Sequence, residues 1–176
     1  CYGGVVFCLV FFFQAEDGIR VLVRSRGLGD VYKRQFFSLG NRSAAIRVPK
    51  YADQPDTARF EFRPPDATGN IYLALAVQLM AGLDGIRQQM DPRALGFGPI
   101  DQNIFTWSDE QRKAIKPLPA SLREALDALV RDHEFLLQND VFDAGLIADW
   151  IKAKYDEYYG VRNRPHPAEI ALYYGV

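Results

Sequence analysis

The sequence has few cysteines and almost no net charge, and each of these scarcities excludes a class of protein. Its 2 cysteines, Cys1 and Cys8, both lie at the start, so the rest of the chain has no disulfide framework and no thiolate zinc site. The 21 basic residues nearly balance the 22 acidic ones, which argues against nucleic acid or a membrane as a partner. Apolar residues make up 48% of the 176 positions, so we expect a globular protein, and the absence of cysteine after Cys8 fits a cytoplasmic one.

The segment Cys1–Gln35 does not have the pattern of a native fold. Its apolar run Val5–Phe13 is shorter than the about 20 residues that span a bilayer, and no basic start or cleavage site marks a secretory signal. Gln14–Arg20 and Ser25–Gln35 resemble the translation of a sequencing-library primer and of a transposase adapter, in the order that a library would place them. We therefore set residues 1–35 aside and predict that the native domain is Phe36–Val176, continuing a longer chain.

Short strands followed by helices are predicted along this domain, which indicates an α+β fold with a few antiparallel strands and a mostly helical tail. Ser43–Val48 is predicted as a strand that Pro49 ends. Arg59–Arg63 alternates with period two, so Phe60 and Phe62 should face the core. Further on, we expect a buried helix over about 70–90, a long loop over 91–119, a helix near Leu122–Val130 opened by Ser121 and Glu124, and helices over 132–138 and 143–159.

Arginine placement is the unusual feature of the two predicted strands. Arg42, Arg47, Arg59 and Arg63 lie within one short segment, with Glu61 between the last two, and we call these five residues the arginine wall. Guanidinium groups match carboxylate and phosphate oxygens, and an ionised carboxylate suits a hard cation such as Mg²⁺. The wall therefore indicates a site for a polyanion and its metal ion. The alternative is a surface strand with cross-strand ion pairs, because RxExR by itself is not specific.

Other candidate chemistry is weaker. His133 and His166 are interpreted as surface or helix-cap residues, and no Ser–His–Asp grouping is suggested. The stretch Gly96–Gly98 runs into Pro99 and does not have the pattern of a nucleotide-binding glycine loop. If phosphate binds, side chains rather than backbone amides should hold it.

Several strings together carry a resemblance to a known family. They are NRSAAIR (Asn41–Arg47), ARFEFRPPDATGNIYLALAVQLMAGLDGI (Ala58–Ile86), PLPASLREALDAL (Pro117–Leu129), DHEFLL (Asp132–Leu137) and NRPHPAEIALYYGV (Asn163–Val176). In this order and spacing, they resemble the C-terminal part of type I glutamine synthetase. The resemblance covers essentially all of Phe36–Val176.

The resemblance implies an enzyme that makes glutamine from L-glutamate, ammonia and ATP through a γ-glutamyl phosphate, with Mg²⁺ or Mn²⁺. Arg42 and Arg47 match arginines that bind the ATP phosphates, and Arg59 matches another on the nucleotide side. Glu61 matches a ligand of the metal that bridges the ATP phosphates. Arg63 matches the arginine that contacts glutamate and the transferring phosphoryl group. The resemblance thus implies that Arg42 and Arg63 are the catalytic residues.

The sequence departs from the family pattern at two positions. Phe105 stands where some members carry an adenylylated tyrosine, which puts control by adenylylation in doubt. Asp56 stands where some members have a lysine that touches ATP, which puts that nucleotide contact in doubt.

Much of the family's machinery precedes the matching segment, so we expect this chain alone to be inactive. The family's β-grasp domain, most metal-binding glutamates, the catalytic-site histidine and the glutamate-site flap all lie upstream. The apolar tail Pro167–Val176 matches the family's habit of inserting its C-terminus into a facing ring of a homododecamer. The alternatives are a glutamate–polyamine or other amine ligase of the same fold, and a non-catalytic structural relative.

Overall fold

The computed structural model describes residues 34–41, 43–51, 54, 56–65, 69–119 and 121–175. Within these ranges three short strands precede a series of helices. The strands are β1 (Arg34–Ser38), β2 (Ala44–Arg47) and β3 (Glu61–Phe62), and the α-helices are α1 (Ile71–Arg87), α2 (Asp109–Lys113), α3 (Leu122–Arg131), α4 (Ala144–Arg162) and α5 (Pro167–Tyr173), with 3₁₀ segments at Ile104–Thr106 and Glu134–Asp140. This arrangement confirms the α+β class.

The three strands form one sheet in the order β1-β2-β3. The predicted antiparallel pairing is confirmed for β2 and β3, where Ile46 lies opposite Phe62 and Arg47 opposite Glu61. The expectation of an all-antiparallel sheet is wrong at β1, because β1 runs parallel to β2 with Ser38 opposite Arg47. Strand β1 was not predicted, and it begins within the last two residues of the segment set aside above.

The main core lies between the sheet, α1 and the helices that follow. Phe37 and Ile46 from the sheet, Val77 from α1 and Leu126 and Leu129 from α3 are among its buried members. Phe60 and Phe62 pack against this core, as the period-two pattern predicts. Burial of each large side chain contributes about 1.5–3 kcal/mol relative to exposure, so this cluster is the main stabilising element.

Helix α1 begins after Asn70, whose side chain accepts hydrogen bonds from the amides of Tyr72 and Leu73. The expectation of a buried helix is wrong for one side of α1 within the described part of the chain. Ala74, Val77 and Met80 are buried, whereas the opposite side is exposed because none of the described elements covers it; the exposed side chains are Ile71, Tyr72, Leu75, Leu79, Leu83 and Ile86.

The end of α1 is tied to the 3₁₀ segment Glu134–Asp140 by a buried carboxylate. Asp84 is 6% exposed and accepts a hydrogen bond from Gln88 Nε2 at 2.9 Å and one from Gln138 Nε2 at 2.8 Å. A buried carboxylate is tolerated when donors surround it, and two amides supply them here.

The segment predicted as a long loop contains local structure that sequence reasoning missed. Ser108 and Gln111 form a capping box that opens α2, and Asn103 caps the 3₁₀ turn at Ile104–Thr106. Both elements are too short to show a helical hydrophobic period, which explains the miss.

The later helices follow the predicted spacing. The Ser121 hydroxyl accepts from the amide of Glu124 at the start of α3, and Ile147 of α4 is buried in the core. His166 caps α5, which agrees with its interpretation as a surface or helix-cap residue, although the helix itself was not predicted. None of the helices in the described ranges has the length and apolar content needed to cross a bilayer.

Candidate functional site

Two members of the arginine wall, Arg47 and Glu61, lie on the antiparallel pair β2–β3. Arg47 ends β2 and Glu61 begins β3, and the register places them directly opposite each other. Arg47 Nη1 donates to Glu61 Oε2 at 3.3 Å, with side chains 22% and 34% exposed. The sequence-predicted juxtaposition of these two residues is therefore present in the structure.

The Arg47–Glu61 pair is not accounted for by stability alone. An ion pair this close to solvent stabilises a protein by only about 0–1 kcal/mol. In addition, Arg47 Nε is buried and has no hydrogen-bond partner among the described residues. A buried donor without an acceptor is costly, so its presence favours a role for the guanidinium beyond the bond to Glu61.

Arg63 and Arg59 differ in how far they are exposed to solvent. Arg63 follows β3, is half-buried, and its backbone amide donates to Ala45 O at 3.0 Å, which extends the strand pairing by one step. Arg59 is exposed, and its guanidinium donates to Tyr51 Oη at 3.1 Å and lies 5.1 Å from the centre of that ring. Tyr51 was not predicted to be near the site.

Arg42 lies outside the described residues, but both of its neighbours are described. The Asn41 side-chain oxygen accepts from the amide of Ser43 at 2.9 Å and from its hydroxyl at 2.7 Å. Asn41 Nδ2 in turn donates to Gln102 O at 2.7 Å. Asn41 thus links Ser43 to the segment around Gln102.

Asp101, adjacent to Gln102, is an ionisable residue near the wall that sequence reasoning missed. Its pKa is held below the ordinary value, mainly because the Ser38 hydroxyl donates to it, with help from the amide of Leu39 and the charge of Lys50. Asp101 lies 63 positions from Ser38, and a contact of that separation leaves no local pattern in the sequence.

The donor set of the wall does not complete a metal site. Glu61 offers one carboxylate, whereas Mg²⁺ takes close to six oxygen ligands, several of them from carboxylates, phosphates or water. Among the residues that the structure describes, no group of three or more His, Cys, Asp or Glu side chains could hold a metal ion. We derive no chemical step through a metal from these residues.

Fold and site together define an α+β domain whose sheet edge presents arginine and carboxylate. The family model for "Glutamine synthetase, catalytic domain" matches residues 33–173. The chain is 46% identical over 143 residues to glutamine synthetase of Aquifex aeolicus, covering 81% of this chain and 30% of that protein. Against glutamine synthetase of Frankia alni it is 44% identical over 141 residues, covering 80% and 29%.

A cryo-electron microscopy structure of Plasmodium falciparum glutamine synthetase has the same fold. The TM-score is 0.77 at 23% sequence identity, with 97% of this chain and 41% of that chain covered. The chain therefore belongs to the glutamine synthetase catalytic-domain family, as the sequence motifs predicted. It spans about 30% of the length of the curated relatives that it matches.

Proposed function

We propose that this chain is the part of a glutamine synthetase that holds the phosphates of ATP during ligation of ammonia to L-glutamate through γ-glutamyl phosphate. A cytoplasmic location and a homododecameric full-length enzyme, with its C-terminal tail docked in a facing subunit, belong to the same proposal. Family membership and the arginine wall support it.

The observation that carries the proposal is the half-buried Arg47–Glu61 pair on adjacent strands. Transfer of a phosphoryl group spreads negative charge over several oxygens, and proteins accelerate it chiefly by positioning fixed positive charge around them. A guanidinium that a neighbouring carboxylate orients is a donor of this kind, because it is always charged and its geometry is set before the phosphate arrives.

Each residue of the wall has a proposed role. Arg42, Arg47 and Arg59 would bind ATP phosphates, and Arg63 would contact glutamate and the transferring phosphoryl group. Glu61 would contribute one ligand to Mg²⁺ or Mn²⁺, whose other ligands the described residues do not supply. Arg42 and Arg63 would be the catalytic residues in the full-length enzyme.

We further propose that the chain by itself makes no glutamine. It spans about 30% of its relatives, and the described residues supply too few carboxylates to bind metal. Glutamine formation above background by the purified chain, supplied with ATP, Mg²⁺, glutamate and ammonia, would contradict this part of the proposal.

Calorimetric titration of MgATP into the purified chain tests the phosphate-binding role. We expect Arg47→Ala to weaken binding by about tenfold to a hundredfold, since a charged hydrogen bond is worth roughly 1.5–3 kcal/mol. Arg112→Ala is the matched control, because Arg112 pairs with Asp109 at 2.6 Å on α2 and is not part of the wall. Equal loss in both variants, or no binding by the unmodified chain, would contradict the proposal.

A further inference from the structure

The connection between β1 and β2 is unusually short for parallel strands. Ser38 ends β1, Ala44 begins β2, and the two strands run in the same direction. Parallel neighbours ordinarily need a crossover of about a dozen residues or more. The backbone of so tight a return cannot satisfy all its own amides, so side chains must supply acceptors.

Ser38 supplies the first acceptor. It is fully buried, and its hydroxyl oxygen accepts from the amides of Gly40 at 3.1 Å and Asn41 at 2.7 Å. The same hydroxyl donates to Asp101 Oδ1 at 2.6 Å. The hydroxyl proton is therefore used in the bond to Asp101, and the lone pairs of the oxygen accept from the amides of Gly40 and Asn41.

Asp101 supplies the second acceptor. Besides the Ser38 hydroxyl, its Oδ1 atom accepts from the amide of Leu39 at 2.8 Å. Its Oδ2 atom lies 3.6 Å from Lys50 Nζ in an exposed ion pair. One carboxylate thus fixes the end of β1 and the start of the return, through donors more than sixty positions away in sequence.

The backbone before Asp101 is docked on β1, so the carboxylate is not a freely moving anchor. The amide of Ile100 donates to Phe37 O at 3.0 Å. Gly98 has φ +122, and a Cβ there would lie 2.6 Å from Phe37 O, so no other residue could approach the strand as closely.

We propose that Asp101 is a positioning residue for the arginine wall, acting through Ser38 and Leu39 to fix the turn Leu39–Asn41 and the strand end opposite Arg47. This proposal rests on the proposed function, under which the arginine wall binds the phosphates of ATP. Asp101 acts on the backbone of β1, whose last residue, Ser38, lies opposite Arg47.

Three variants separate this role from a general loss of stability. Asp101→Ala removes both hydrogen bonds, whereas Asp101→Asn retains an oxygen that can accept both and loses only the charge. Asp109→Ala is the matched control, because it removes a carboxylate that pairs with Arg112 on α2 instead. The readouts are amide hydrogen exchange at Asn41 and Ser43, the affinity for MgATP, and the midpoint of chemical unfolding.

We expect Asp101→Ala to speed exchange at Asn41 and Ser43 and to weaken MgATP binding, each by about tenfold, the size expected for loss of charged hydrogen bonds. Asp101→Asn should stay within about threefold of the unmodified chain in both readouts, as expected if the acceptor oxygen matters more than the exposed ion pair. Asp109→Ala should change neither.

The positioning role is overturned if Asp101→Ala leaves exchange at the turn unchanged. It is also overturned if the turn loosens with no loss of affinity, or if the asparagine variant is as impaired as the alanine variant. If the unmodified chain does not bind MgATP, the proposed function fails, and the exchange rates alone then decide whether Asp101 anchors the turn.

Discussion

The sheet edge, meaning the end of β1 at Ser38 and the segment that leads from it to Arg47, and the C-terminal helix α5 are stabilised in opposite ways. At the sheet edge, Ser38 is fully buried and is held by Asp101, which is far away in sequence. In the C-terminal region, every described residue from 161 onward is exposed, and α5 is capped only by its neighbours His166 and Glu169. One region depends on the whole fold, and the other depends on its own few residues.

This contrast separates the part of the chain that can hold the side chains of a functional site in place from the part that cannot. A site needs side chains fixed to a fraction of an ångström, which requires support from packed elements around it. A short helix without tertiary packing has little stability in water. Ile170, Leu172 and Tyr173 of α5 are exposed, so its apolar side chains do not contribute to the core.

The largest expected effect comes from the same substitution made in the packed core, on which the sheet rests, and in α5. Leu129→Ala removes a fully buried side chain of α3 and should lower the free energy of unfolding by about 2–5 kcal/mol. Leu172→Ala removes a side chain of α5 that is 68% exposed and should change the free energy of unfolding by less than about 0.5 kcal/mol. Denaturant unfolding measures both, and similar losses would show that the contrast is wrong.

A smaller effect concerns the contact between α3 and α4. Tyr155 donates to Asp127, and this bond raises the pKa of Tyr155 to about 12 from 10.0. The folded protein holds the Tyr155 hydroxyl proton more tightly than the unfolded chain does. The bond therefore stabilises the folded protein fully below pH 10, and this contribution is lost as the pH rises from 10 to 12.

The variant Asp127→Asn should lower the Tyr155 pKa towards 10.0, since the carboxylate is its main cause. An NMR titration of the Tyr155 ring carbon measures the change. An unaltered titration in the variant would mean that Asp127 does not hold the hydroxyl.

The smallest global effect is expected at the cap of α5. The Glu169 carboxylate accepts from the backbone amide of His166 at 3.1 Å, and Glu169→Ala removes this half of the capping box. A cap is worth about 0.5–2 kcal/mol to its helix, so amide exchange in α5 should accelerate. The unfolding midpoint should not move. A shifted midpoint would indicate that α5 is coupled to the core.

The same contrast explains what the sequence could predict. Caps and hydrophobic periods are local, so Ser121, His166 and the positions of α3 and α4 could be located in advance. The strand patterns predicted that Arg47 and Glu61 would share one surface if the two strands were neighbours, and the structure pairs those strands. These inferences used residues at most a few turns or one strand apart.

Contacts that join distant segments could not be predicted in this way. Nothing near Asp101 signals that its carboxylate meets Ser38, and the parallel return between β1 and β2 breaks the usual rule for connection length. The exposed side of α1 was also missed, because an apolar sequence predicts burial without specifying what will cover it.

Residue-by-residue amide exchange of the chain with and without MgATP tests the central claim most directly. The account predicts that MgATP slows exchange at the described amides of the Asn41–Arg47 segment and at Arg63, and leaves Glu169, Ile170 and Tyr174 unchanged. A nucleotide effect that is absent from the sheet edge, or equally strong in α5, would contradict it.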